Sequence, residues 1–161
     1  MKQKGFTMLE IILYIGLTSV ILIAATYFSI DAIRGQAKAY VIVEVNQNFR
    51  FAMDKMTRAI RGAKDITSVS STTVILDRTP DPAITLEFDT VDKKVTYQVG
   101  AGAVEDLTTS RVLATGSFSD RSSTSTKNIQ INLNVEFSNQ GTDINYSYDS
   151  SASTTVELRG Y

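Results

Sequence analysis

The chain has 161 residues, of which 43% are hydrophobic and 20% charged, a composition typical of a folded protein with one modest domain. It contains no histidine and no cysteine, which excludes an imidazole base, a thiol nucleophile, a disulfide bond and a His/Cys zinc site. The formal net charge is −1, but residues 66–161 hold seven basic and twelve acidic residues, the wrong sign for binding nucleic acid.

The N-terminal region predicts a membrane span. The chain begins with the residues MKQKGFTMLE, and the next twenty, Ile11 to Ile30, contain no charge. At about 1.5 Å of rise per residue, twenty helical residues match the roughly 30 Å hydrocarbon core of a bilayer. A conventional secretory signal is the alternative, with Ile23-Ala24-Ala25 as a weak cleavage site, but such signals have apolar regions of only about 7–15 residues.

Glu10 is the one acidic residue among the first thirty. The segment Thr7-Met8-Leu9-Glu10 fits a capping box, in which Thr7 accepts from the backbone N–H of Glu10 and the Glu10 side chain reaches back. An acid in the first turn also meets the positive end of the helix dipole. Because a carboxylate within a membrane costs up to about 2.5–3.5 kcal/mol, Glu10 also calls for a partner.

The short basic leader, Gly5, Phe6 and Glu10 together resemble the class III signal shared by type IV prepilins and type II secretion pseudopilins. The resemblance implies cleavage between Gly5 and Phe6 and N-methylation of the new N-terminal Phe6. It also implies a role for Glu10 in filament assembly, where its carboxylate pairs with the amine of Phe6, on its own subunit or on a neighbour.

The resemblance further implies partners and a location. A prepilin peptidase with methyltransferase activity would process the chain, and an assembly ATPase with its membrane platform would extract it into a helical filament of pilin or pseudopilin subunits. The protein would first be a single-pass protein of the cytoplasmic membrane, with the leader in the cytoplasm and the head outside, and then part of an extracellular or periplasmic filament. The basic residues on the two flanks of the apolar run are too evenly matched to set this orientation by charge.

A helical pattern continues past the apolar run. Apolar residues recur at three- and four-residue spacing at Ile33, Ala37, Tyr40, Val41, Val45, Phe49, Ala52, Met53, Met56, Ile60 and Ala63. No proline occurs in residues 1–79, so one helix from about Thr7 to Ala63 is expected. Gly16 and Gly35 are the expected bends, and Gly62 the expected end.

The rest of the chain is rich in threonine, serine and valine with period-two alternation. The predicted strands are Thr73–Asp77, Ile84–Asp89, Lys94–Val99, Arg111–Phe118, Ile129–Ser138, Ile144–Asp149 and Thr154–Arg159. Turn residues at 89–93 and 138–143 predict two antiparallel hairpins, and residues 79–82 predict a loop. Ser119–Lys127 is a low-complexity surface segment that we expect to be mobile.

These elements predict an α+β architecture. A strand-rich head needs a second layer to cover its apolar face, and the helix offers a matching stripe, so we expect an antiparallel sheet across residues 31–63. The expected organisation is a leader at 1–5, a hydrophobic transmembrane and assembly helix at 6–30, its amphipathic continuation at 31–64 and a β-rich globular head at 65–161. That is the design of a pilin, which the resemblance also implies.

Other sites are weakly supported, and no catalytic, cofactor-binding or metal residue is assigned. Asp89 and Asp92 fit a hairpin turn better than an acid–base pair. The segment 100–105 begins like a dinucleotide loop, but Glu105 stands in place of the third glycine. Four acids, Asp77, Asp81, Asp89 and Asp92, lack the spacing of a calcium loop. The basic residues Arg50, Lys55, Arg58, Arg61 and Lys64 fit a solvated helix face better than a phosphate-binding stripe of a DNA-uptake pilus.

The expected function is therefore that of a structural filament subunit and not of an enzyme. The absence of cysteine and of proline in the apolar run departs from the best-known major pilins, while residues 48–63 and 153–159 are similar to minor pilins and minor pseudopilins. A minor or priming subunit of a type IV pilus is the favoured interpretation. A type II secretion or competence pseudopilin is one alternative. The other is a single-span anchored module that binds a surface ligand with its head and the Ser119–Lys127 loop.

Overall fold

The computed structural model describes residues 5–138 and 146–159, and within them it contains one long helix and eight strands. The helix, α1, runs from Met8 to Arg61. The strands are β1 (Asp65–Val69), β2 (Thr73–Arg78), β3 (Asp81–Asp89), β4 (Lys94–Val99), β5 (Val104–Asp106), β6 (Val112–Asp120), β7 (Asn128–Phe137) and β8 (Asp149–Glu157). The expected α+β architecture, with one N-terminal helix packed on antiparallel sheet, is confirmed.

The ends of α1 lie close to the predicted residues. Thr7 is the N-cap, with an extended backbone and a side chain that accepts from the Glu10 backbone N–H at 3.3 Å. Gly62 caps the other end, and its N–H donates to the Arg58 carbonyl at 3.0 Å. Two basic residues occupy the last turn, where they meet the negative end of the helix dipole.

The head contains two antiparallel sheets, whereas one was expected. Strands β1 to β5 form a five-stranded meander, and β6, β7 and β8 form a separate three-stranded sheet. The hairpin turns of the meander meet the edge strand β6: the Ala114 N–H donates to the Lys93 carbonyl at 2.7 Å and the Phe118 N–H to the Ser71 carbonyl at 2.9 Å. These bonds satisfy an edge that would otherwise be open to another chain.

The core lies between the second half of α1 and the two sheets, and α1 contacts mainly β7 and β8. Of the predicted helix stripe, Val41, Val45, Ala52, Met56, Ile60 and Ala63 are buried. The prediction that Ile33 belongs to the core-facing stripe is wrong, because its side chain is 67% exposed and lies before the part of α1 that the sheets cover. On β7 the predicted alternation is confirmed, with Ile129, Ile131, Leu133 and Val135 all buried.

The predicted strands match β2, β3, β4, β6 and β7 to within about three residues at their ends. Strands β1 and β5 were not predicted: a bulge breaks the alternation between Ile66 and Ser68, and β5 has only three residues, all of them exposed. The predicted strand Ile144–Asp149 is not confirmed, since residues 146–148 are not in a strand and 144–145 lie outside the described residues, as does most of the predicted turn at 138–143. Instead β8 begins at Asp149 and pairs along its length with β7.

Strand pairing, a hydrogen bond and an ion pair hold the Ser119–Lys127 segment, although its composition predicted mobility. Its first two residues belong to β6, and the Ser123 N–H donates to the Thr126 carbonyl at 2.8 Å. Lys127 forms an ion pair with Asp65 at the start of β1, which fastens the end of the loop to the other sheet.

Candidate functional site: the N-terminal half of the helix

The first half of α1 is apolar and has no protein covering it. Its large side chains are mostly more than half exposed among the described residues, including Leu13 at 62%, Leu22 at 61% and Phe28 at 76%. The helix is long and apolar enough to cross a membrane. The same helix therefore has an unburied apolar half and a second half that forms the core of the head.

Three hydroxyl groups in this half are satisfied within the helix. Ser19 donates to the Ile15 carbonyl at 2.7 Å, Thr26 to the Leu22 carbonyl and Ser29 to the Ala25 carbonyl at 2.8 Å each. Such bonds to the preceding turn remove the cost of an unpaired donor in an apolar medium. These three side chains are thus suited to an apolar surrounding.

The predicted cleavage position lies just before the helix. Gly5 and Phe6 precede the Thr7 cap and are not in regular secondary structure, and both are exposed. Nothing lies within 4 Å of the place where a side chain on Gly5 would begin. The Gly5–Phe6 peptide bond is therefore accessible to another protein, while the leader residues 1–4 lie outside the described residues.

Glu10 takes part in only half of the predicted capping box. Its N–H donates to the Thr7 side chain, but its carboxylate accepts from the Tyr14 hydroxyl at 3.3 Å, one turn further on. The ring of Tyr14 in turn packs edge-to-face against Phe6, with the centroids 6.3 Å apart. Phe6, Glu10 and Tyr14 therefore lie side by side at the start of α1.

The sequence reasoning missed Tyr14. The signal was its spacing of four residues from Glu10, which places both on one helix face. A neutral phenol orients the carboxylate without neutralising it, so Glu10 keeps its capacity to bind a cation. This arrangement can hold a carboxylate beside the residue whose amine the predicted cleavage would free.

Two basic residues of the second half of α1 have side-chain partners. Arg58 pairs with Asp54 at 2.9 Å, and Lys55 lies 5.2 Å from the centre of the Tyr97 ring. A groove of about 360 Å³ between α1 and the five-stranded sheet also includes Arg78, which pairs with Asp81 at 3.6 Å. Arg58, Lys55 and Arg78 are therefore each engaged by a neighbouring side chain.

The four acids considered for calcium each have a local role. Asp77 accepts from Thr79, and Asp89 accepts from the backbone N–H groups of the β3–β4 turn at 2.8 and 3.0 Å. These bonds hold the pKa of each of the two carboxyls below its usual range. Asp92 pairs with Lys94 at 3.8 Å. No group of three potential metal ligands occurs within residues 5–138 and 146–159.

Comparisons of the chain with protein-family models, with curated proteins and with solved structures found no match.

Proposed function

We propose that this protein is a pilin-like structural subunit, favoured as a minor or priming subunit, that is processed at Gly5–Phe6 and polymerises through the first half of α1. The observation that supports the proposal most is the division of one 54-residue helix into an exposed apolar half and a half that forms the core of a β-rich head. In a single-span anchored module the membrane helix serves only as a tether. Such a tether would not need to continue into the helix that packs in the core of the head.

In this mechanism the precursor waits in the cytoplasmic membrane with its head outside. A prepilin peptidase cleaves after Gly5, and its methyltransferase activity methylates the amine of Phe6. The freed amine is a cation, and the carboxylate of Glu10, oriented by Tyr14, is the group that it pairs with on its own subunit or on a neighbour in the filament.

An assembly ATPase and platform then move the subunit from lipid into the filament. The apolar side chains exchange lipid for neighbouring helices, so van der Waals packing must drive association. Gly16, Ala24 and Ala25 permit close approach of a second helix. At Gly16 the space that a side chain would occupy is open.

The experiment is a filament assay in cells that hold a complete assembly system. The chain is expressed as wild type, as Glu10→Gln, which removes the charge and keeps the shape, and as Asp31→Asn, a matched control on an exposed acid of the same helix. The wild type and Asp31→Asn are expected in the sheared filament fraction, whereas Glu10→Gln is cleaved normally but depleted there at least about tenfold.

Equal filament yield for Glu10→Gln and wild type would remove the proposed role of the carboxylate. A wild-type chain that stays uncut in the membrane fraction would favour the single-span anchored module instead. A type II secretion or competence pseudopilin would be cleaved in the same way. The two kinds of subunit would be distinguished by which assembly system must be deleted to block filament formation.

A further inference from the structure

Glu10 is the one acid among the first thirty residues, and its own chain partly covers it. Every other residue from 5 to 36 is exposed, whereas Glu10 is half-buried. The head does not supply this cover, because the first buried residue of α1 is Val41, about 46 Å further along the helix. The polar contacts of Glu10 are local and come from Thr7 and Tyr14. The cover is therefore built by residues around the start of the helix.

Tyr14 links Glu10 to Phe6. Phe6 precedes the Thr7 cap, and a side chain in that position commonly packs on the residue four past the cap, which here is Ile11. The ring of Phe6 reaches about one turn further, to Tyr14, with the ring centroids 6.3 Å apart. The Tyr14 hydroxyl donates to the Glu10 carboxylate at 3.3 Å. Tyr14 thus contacts both the residue with the carboxylate and the residue that cleavage would leave with a free amine.

The contact between the two rings limits where the new amine can lie. Only Cα and Cβ separate the amine nitrogen of Phe6 from its ring, so the nitrogen stays near Glu10 while the ring stays on Tyr14. A carboxylate in an apolar medium calls for a partner of opposite charge. The next basic residue after Phe6 in the sequence is Arg34, about 36 Å along the helix from Glu10. Before assembly, the Phe6 amine is therefore the cation that the processed chain itself can bring to Glu10.

We propose that Tyr14 is a positioning residue that makes Glu10 pair first with the amine of its own subunit. The inference rests on the proposed cleavage between Gly5 and Phe6, which creates that amine. The ring of Tyr14 holds Phe6 and its hydroxyl orients the carboxylate, so the ion pair forms within one chain while the subunit waits in the membrane. In the filament, a neighbouring subunit then competes with a contact that is already made.

The test measures the separation between the amine and the carboxylate within a single chain. The protein is produced with Phe6 as its first residue, from a removable N-terminal fusion, and is placed in phosphocholine nanodiscs at one chain per disc. No neighbouring subunit is then present. Phenylalanine is labelled with ¹⁵N and glutamate with ¹³C at the side-chain carboxyl carbon. Magic-angle-spinning NMR with dipolar recoupling shows whether the Phe6 amine lies within about 5 Å of the Glu10 carboxyl carbon, as an ion pair requires.

Three variants separate the ring of Tyr14 from its hydroxyl. Tyr14→Phe keeps the ring and removes the hydroxyl, Tyr14→Leu removes both, and Tyr27→Leu is the matched control on another exposed tyrosine of the apolar half. The wild type and Tyr27→Leu are expected to show the recoupling signal of the ion pair. The signal should be lost in Tyr14→Leu and reduced in Tyr14→Phe. Far-ultraviolet circular dichroism should show the same helix content in every variant, which separates loss of positioning from loss of the helix.

Two results would overturn the proposal: no signal between the amine and the carboxylate in the wild type, or a signal of equal strength in the wild type and Tyr14→Leu. A Tyr14→Phe signal equal to that of the wild type would overturn the part assigned to the hydroxyl. Because the chain is produced with Phe6 first, the measurement does not depend on cleavage in cells. A chain that stays uncut in cells would remove the proposed function without changing this result.

Discussion

Gly116 in the middle of β6 is a position where one methyl group should disrupt the head. A Cβ placed there would lie 2.3 Å from the carbonyl oxygen of Asn132 and 2.6 Å from Cζ of Phe88. The first atom belongs to the backbone of the paired strand β7, and Phe88 is almost completely buried against Phe118, with ring centroids 4.6 Å apart. Neither neighbour can move without disturbing the ladder between β6 and β7 or the contact between the two sheets.

The expected cost follows from those distances. Overpacking a core usually costs about 1–3 kcal/mol when side chains can adjust, and here a backbone atom must also move by about 1 Å, so we expect Gly116→Ala to cost about 3 kcal/mol or more. For a head of this size that corresponds to a melting temperature lower by about 10 °C. The neighbouring Thr115→Ala, on the exposed face of the same strand, should change it by no more than about 2 °C.

The assay is thermal unfolding of the full chain in nanodiscs, followed by near-ultraviolet circular dichroism. A double-mutant cycle with Phe88→Leu separates the two clashes, because the smaller side chain relieves the ring contact and leaves the contact with the Asn132 carbonyl. Gly116→Ala should therefore cost less in the Phe88→Leu background but not become neutral. A Gly116→Ala protein that melts with the wild type would refute the described contact between β6, β7 and Phe88.

The remaining predictions concern the head. The hydrogen bond from Lys127 is the main reason that the pKa of Asp65 lies below its ordinary value of 3.8. The contribution of this carboxylate to stability is therefore full above pH 3.8, and it is lost as the pH falls through the lower pKa of the folded state. Asp65→Asn should therefore lower the melting temperature at pH 6, and the difference from wild type should shrink as the pH falls below 3.8; a pH-independent difference would contradict this. Asn48 is 7% exposed and accepts from the Thr109 N–H at 2.9 Å, so Asn48→Ala should cost about 1–2 kcal/mol in urea unfolding, against almost nothing for the exposed neighbour Gln47→Ala. Equal midpoints for the two variants would show that the contact does not stabilise the head.

The sequence predicted the parts of the fold that repeat locally. The three- and four-residue spacing from Val41 to Ala63 and the alternation on β7 each reflect burial of one face, and both are confirmed. The division into two sheets could not be predicted in this way, because it depends on contacts between distant turns and β6, such as the bond from the Phe118 N–H to the Ser71 carbonyl. From the local sequence pattern, Gly116 is only a residue that weakens a strand. Its close contact with Phe88 is visible only in the structure.

The candidate site shows the same limit. The Thr7 cap was predictable from a four-residue motif, and its hydrogen bond to the Glu10 N–H is confirmed. Tyr14 was missed because a charged partner was sought for Glu10, and a neutral phenol at the right spacing was not considered. On β7 the apolar half of the alternation was sufficient to find the core.

The most direct test of the filament proposal is the N-terminus of the protein purified from its native membrane. Intact mass and N-terminal peptide mass spectrometry would be compared between cells with and without an active prepilin peptidase. The proposal predicts a chain that begins at Phe6, with or without a methyl group on its amine, only where the peptidase is active. A chain that still begins at Met1 or Lys2 in those cells would contradict it and leave a head held by an uncut membrane anchor.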